Sequence, residues 1–107
     1  MGRHQGSGHA AEGFSRLEKE LVAERVTALA RIAATLEELV QALARLEPPP
    51  AHDPAAVAEH RRRHAALREK ALRYRWYLEV QRESVGITRH EGLDALYPIP
   101  PLLTPEG

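Results

Sequence analysis

A chain of 107 residues, with 15 basic and 15 acidic side chains and a formal net charge of +0, has room for one domain with a thin core. Cysteine is absent, which excludes disulfide bridges, thiolate metal clusters and a cysteine nucleophile. No run of about 18 apolar residues exists and the opening MGRHQGSGHAAEG lacks the apolar segment of a secretory signal, so no membrane span is expected and a cytoplasmic location is.

Residues 1–11 are rich in Gly, His and Ser without apolar periodicity, and read as a flexible leader. From Val22 the apolar positions Val22, Val26, Leu29, Ala33, Leu36, Val40 and Leu43 alternate in steps of four and three, one side of a 3.6-residue helix. Ile32, Leu39 and Leu46 widen the stripe, and Phe14, Leu17 and Leu21 lead into it. The pattern predicts one amphipathic helix from about residue 12 to about residue 46.

EPPPAHDP then breaks the helix, because consecutive prolines lack the amide donor and clash with the preceding turn. Asp53 before Pro54 restarts one, with a carboxylate at the N-cap and proline at the first helical position. This second helix is expected over 54–85, closed by Gly86 in the left-handed conformation. Its seam is Val57, His60, His64, Leu67, Ala71, Tyr74, Leu78, Gln81 and Val85. Two long helices joined by a short proline loop predict an all-α fold, an antiparallel two-helix hairpin of coiled-coil character. Thr88 to Glu91, TRHE, fits a capping box and predicts a short third helix over 89–97, completing a hairpin domain over 12–97. Residues 98–107 read as an extended proline-rich tail, since residues before proline avoid the helical region.

Four chemistries compete for the second helix and tail. His60 and His64 share one helical face, as a two-histidine metal site requires, with Glu37 or Glu38 across the hairpin as a third ligand. Two ligands make a weak site and the seam points Leu36 and Val40 inward, so the expectation is no metal and no cofactor. Basic residues dominate between Arg61 and Arg89, whereas acidic ones lead between Glu12 and Glu47. Arg61, Arg62, Arg63, Arg68, Arg73 and Arg75, with aromatics interleaved, form the alternative reading, a nucleic-acid surface for RNA or single-stranded DNA. Zero net charge and the helical pairs Glu59 with Arg63 and Glu69 with Arg73 disfavour it. Pro98 and Pro101 have the spacing of a proline motif that docks on another protein, although the apolar tail suits packing on its own hairpin better. Catalysis has least support, because no serine has a base and carboxylate at motif spacing and a two-helix hairpin offers no obvious deep pocket.

The sequence therefore reads as a non-enzymatic structural or interaction module that works by helix-face packing. Leu72, Trp76, Val80 and Ile87 lie roughly opposite the Tyr74 and Leu78 seam, so the second helix is apolar on two sides. Something must cover them. The expected interface comprises Leu72, Tyr74, Trp76, Tyr77, Val80, Ile87, Tyr97, Ile99, Leu102 and Leu103. It gives a homodimer or larger helical bundle, such as a four-helix bundle, centred near Trp76 with the tail sealing its edge.

Overall fold

In the computed structural model the chain is all-α, with two long helices and one short one: α1 (Gly2–Arg45), α2 (Pro54–Ser84) and α3 (Leu93–Leu96). Residues 2–104 are described, those at 2–12 and 14 without their side chains; the expected leader over 1–11 and the end of the tail at 105–107 lie outside what is described in full. Among the described residues there is no strand, and no helix is long and apolar enough to cross a membrane.

α1 and α2 form the antiparallel hairpin. The loop obeys the proline chemistry: Asp53 caps α2, its Oδ1 accepting from the Ala56 amide at 3.1 Å, and Pro54 occupies the first turn. Pro48, Pro49 and Pro50 lie in the non-helical stretch between α1 and α2, a proline strut that joins the two helices. At the other end Gln81 Nε2 donates to the Arg25 carbonyl at 3.2 Å and Arg25 Nη1 to the Ser84 carbonyl at 3.3 Å. Counting from that contact places Leu29 level with Leu78, Ala33 with Tyr74, Leu36 with Ala71, Val40 with Leu67 and Leu43 with His64. The two seven-residue seams therefore meet in register, and Leu36, Leu39, Leu43, Ala71, Leu78 and Leu93 form the buried core.

Helix lengths do not match. α1 has 44 residues and α2 has 31, about 66 and 47 Å at 1.5 Å per residue, so α1 continues past the end of α2. Val22, expected in the seam, is accordingly 51% exposed, and Val26, beside the last turn of α2, is 51% exposed as well. The radius of gyration is 22.2 Å, against about 13 Å for a compact domain of 100 residues, so this is a rod.

α2 ends as its glycine dictates. Gly86 has φ of 90°, and the amides of Gly86 and Ile87 return to the carbonyls of Glu83 and Arg82. The third helix departs from expectation: it covers only Leu93–Leu96, follows Gly92 at φ 86°, and has no side-chain cap. Thr88 to Glu91 do not form the capping box. Arg82 instead donates through Nε to His90 Nδ1 at 3.2 Å and through Nη2 to the Arg89 carbonyl at 2.7 Å, while Glu83 holds His90 Nε2 at 3.0 Å. These contacts keep the segment against the end of α2, out of a helical turn.

Beyond α3, residues 98–104 have no regular secondary structure and run back along the hairpin. Tyr97 and Ile99 pack on the buried core, which makes this returning segment the third layer of the fold.

Candidate functional site

Three arginines seven residues apart on α2 fasten the returning segment. Arg82 takes His90 and the Arg89 carbonyl, Arg75 pairs with Asp94, and Arg68 Nε donates to the Pro100 carbonyl at 2.8 Å. Seven residues are close to two helical turns, so the series keeps one side of α2 facing the segment. The Arg75 guanidinium, by hydrogen bond first and charge second, holds the exposed Asp94 carboxyl below its ordinary range.

Arg61 is one further step along the series, and there the segment opens into a cavity of about 880 Å³. Its wall joins four pieces of chain: Val40, Leu43 and Leu46 near the end of α1, Pro48 and Pro49 of the strut, Val57, His60, Arg61 and His64 of α2, and Ile99, Pro100 and Leu103 of the returning segment. The proline strut and the returning segment add walls that a bare hairpin lacks, and together they shape a half-open cleft at the loop end.

The two histidines do share a face: both line the cavity, with ring centroids 6.5 Å apart and planes tilted by 44°. His64 is 6% exposed, and its Nδ1 is enclosed without a hydrogen-bond partner. A buried polar group left so costs about 1–3 kcal/mol. Among the described residues no group of three or more His, Cys, Asp or Glu is placed to hold a metal. Glu37 and Glu38 are exposed, and it is Leu43 that lies level with His64.

The remaining arginines sit on the solvated side of α2. Glu59 takes Arg62 at 2.8 Å and Arg63 at 3.5 Å, and Arg73 meets Glu69 at 3.3 Å, realising both pairs read from the sequence. The hydrogen bond from Arg62, then its charge, lowers the Glu59 pKa. Arg68 and Arg75 serve the returning segment, so the six arginines of the nucleic-acid reading are divided among three settings.

The ten residues of the expected interface divide as well. Tyr74 is half-buried, Tyr97 and Ile99 pack on the core, and Leu103 lines the cavity. Leu72, Trp76, Tyr77, Val80, Ile87 and Leu102 are exposed, Trp76 by 59%. Among the described residues the tail does not seal this face, because Arg68 and Arg75 carry it along a different side of α2 towards the loop. Added to these, and missing from the expected interface, are Leu17, Leu21 and Val22 on the overhanging part of α1 and Val26 beside the last turn of α2, all exposed. The helices expected over 12–46 and 54–85 are nearly equal in length, so the overhang had no signal in the sequence; it arises because α1 begins at Gly2. The chain matches no protein-family model, no curated protein and no solved structure.

Proposed function

We propose that this chain is a non-catalytic structural and interaction module that assembles with a second copy through helix faces at the open end of the hairpin. One observation carries the reading. Among the described residues, and apart from Leu96 and Leu102, the large exposed hydrophobic residues are Leu17, Leu21, Val22 and Val26, towards the N-terminal part of α1, and Leu72, Trp76, Tyr77, Val80 and Ile87, on the C-terminal half of α2 and just beyond it. The α1 residues continue the stripe that α2 buries farther along, and exposed apolar patches of this kind mark interaction surfaces. Packing two overhangs against each other completes, between chains, the layer that α2 completes within one.

Sedimentation velocity over a concentration series tests this. The expected result is a particle of more than one chain at about tens of micromolar, where a low-micromolar dimer is assembled. Leu21→Glu with Val26→Glu should return it to a single folded chain. A single chain at every concentration overturns the reading.

A further inference from the structure

We propose that His90 is a proton-sensitive clasp: proton uptake at its Nδ1 detaches Arg82 and frees residues 88–91 from the end of α2. The clasp stands independently of self-association.

Both ring nitrogens of His90 have a partner, and the partners fix the tautomer. Arg82 donates through Nε to Nδ1 at 3.2 Å, so Nδ1 presents a lone pair. Glu83 Oε1 lies 3.0 Å from Nε2 and accepts, so the ring proton sits on Nε2. The clasped ring is therefore neutral imidazole in one tautomer. Histidine is the side chain whose charge changes between about pH 5 and 8, and a proton taken here from solvent goes to the Nδ1 lone pair, where the Arg82 N–H already points. Two donors and two positive charges then face each other. Arg82 must turn away. Its guanidinium is planar, so Nη2 leaves the Arg89 carbonyl, 2.7 Å away in the clasped state, in the same movement.

The charges around the ring oppose one another. On α2, Glu83 favours the imidazolium and Arg82 resists it; the chain neighbours Arg89 and Glu91 add one charge of each sign, and Arg25 of α1 reaches this end of α2 through the Ser84 carbonyl. The segment itself is suited to move. It lies between Gly86 at φ 90° and Gly92 at φ 86°, and residues 87–90 have no regular secondary structure. Among the described residues, no amide from 88 to 91 donates to another backbone group, so side chains of α2 hold this stretch in place. The chain beyond Gly92 is held separately, by the buried Leu93 and by Arg75 and Arg68. Proton uptake therefore releases a short flap between two glycines and leaves the returning segment seated.

The test is nuclear magnetic resonance of the full chain titrated from about pH 8 to about pH 5, the range in which histidine changes charge. At the upper end the His90 ring nitrogens should report the Nε2–H tautomer, with backbone order parameters over 88–91 of about 0.85; as His90 takes up its proton these should fall below about 0.6. His90→Gln, whose amide can accept from Arg82 and donate to Glu83 without titrating, should keep 88–91 ordered throughout. Arg82→Met removes the opposing donor, so His90 should take up its proton at higher pH, with 88–91 mobile before and after. A neutral ring protonated on Nδ1, no proton uptake by about pH 5, order parameters that stay constant through it, or the same loss of order in His90→Gln overturns the proposal.

Discussion

Leu36 of α1 and Ala71 of α2 lie level across the hairpin, and both are 0% exposed. A large side chain meets a small one at the point of closest burial, which is how facing helix ridges interdigitate without strain. Leu36→Ala should therefore destabilise the chain by about 2–5 kcal/mol, as a cavity opens in a thin core. Ala71→Leu should cost about 1–3 kcal/mol by overpacking. The two together should cost less than the sum of the single changes, because the new leucine enters the space the old one left. Denaturant unfolding of the four proteins measures this, and strict additivity would show that the residues do not share a packing site.

The arginine series makes a second prediction. Arg68 is half-buried and its Nε bond to Pro100 is the farthest fastening along the returning segment. Arg68→Met keeps most of the apolar stem but removes the donor, and should cost about 1–2 kcal/mol. Proteolysis near Leu102 and Leu103 should accelerate before the helices unfold. Unchanged cleavage would mean that Tyr97 and Ile99 alone hold the segment.

Much of this architecture was legible because it rests on local rules. The seams from Leu29 to Leu43 and from His64 to Leu78 obey a period that only one helical face satisfies, and Asp53, Pro54 and Gly86 fix helix ends by their own backbone chemistry. What escaped depends on nonlocal choices. TRHE has the letters of a capping box, but Arg82 and Glu83 take His90 into another hydrogen-bonded arrangement. The spacing of Arg61, Arg68, Arg75 and Arg82 was visible, yet its meaning depends on where Asp94 and Pro100 return. The cavity likewise exists only once Ile99 and Leu103 have come back to the proline strut.

Acid should loosen the returning segment. Pairing with Arg75 lowers the Asp94 pKa, so its contribution to docking is fully present above the ordinary carboxylate range and is lost as pH falls through its own lower value. Arg75 also lies 3.7 Å from Glu79, which keeps the guanidinium in place while Asp94 titrates. Hydrogen exchange across 93–97 should quicken with acidification. Asp94→Asn should exchange faster at neutral pH and lose the pH dependence due to this pair. High salt should reduce the difference between the two proteins, since the carboxylate is exposed. Identical acid profiles would show that the pair does not contribute to docking.

Gly86 isolates a backbone effect. Its φ is 90°, and a Cβ there would meet nothing within 4 Å, so Gly86→Ala adds no collision. The cost is the left-handed backbone conformation alone, about 1–2 kcal/mol for an L-residue. Asn tolerates that region better and should recover part of the loss. Thermal unfolding of the two variants decides it, and an alanine as stable as glycine would mean that the turn relaxes to another conformation.

Trp76 distinguishes the two halves of the open surface. It is 59% exposed on the outer side of α2, together with Leu72 and Val80, whereas Leu17, Leu21, Val22 and Val26 continue the α1 stripe that faces α2 farther along the hairpin. A dimer formed by overhang against overhang completes the α1 stripe and leaves the indole in water. A four-helix arrangement that also packs the outer sides of α2 removes it from water, and fully burying a large apolar side chain contributes about 1.5–3 kcal/mol. Because so much apolar surface stands on both helices, the four-helix arrangement is expected. Raising the concentration through assembly should shift Trp76 emission to the blue, and Trp76→Ala should weaken association without unfolding the chain, since the residue lies outside the buried core. If sedimentation reports a dimer while the emission stays unchanged, the outer side of α2 is not part of the interface. The overhang of α1 then carries assembly alone, and Leu21→Glu should abolish it where Trp76→Ala does not.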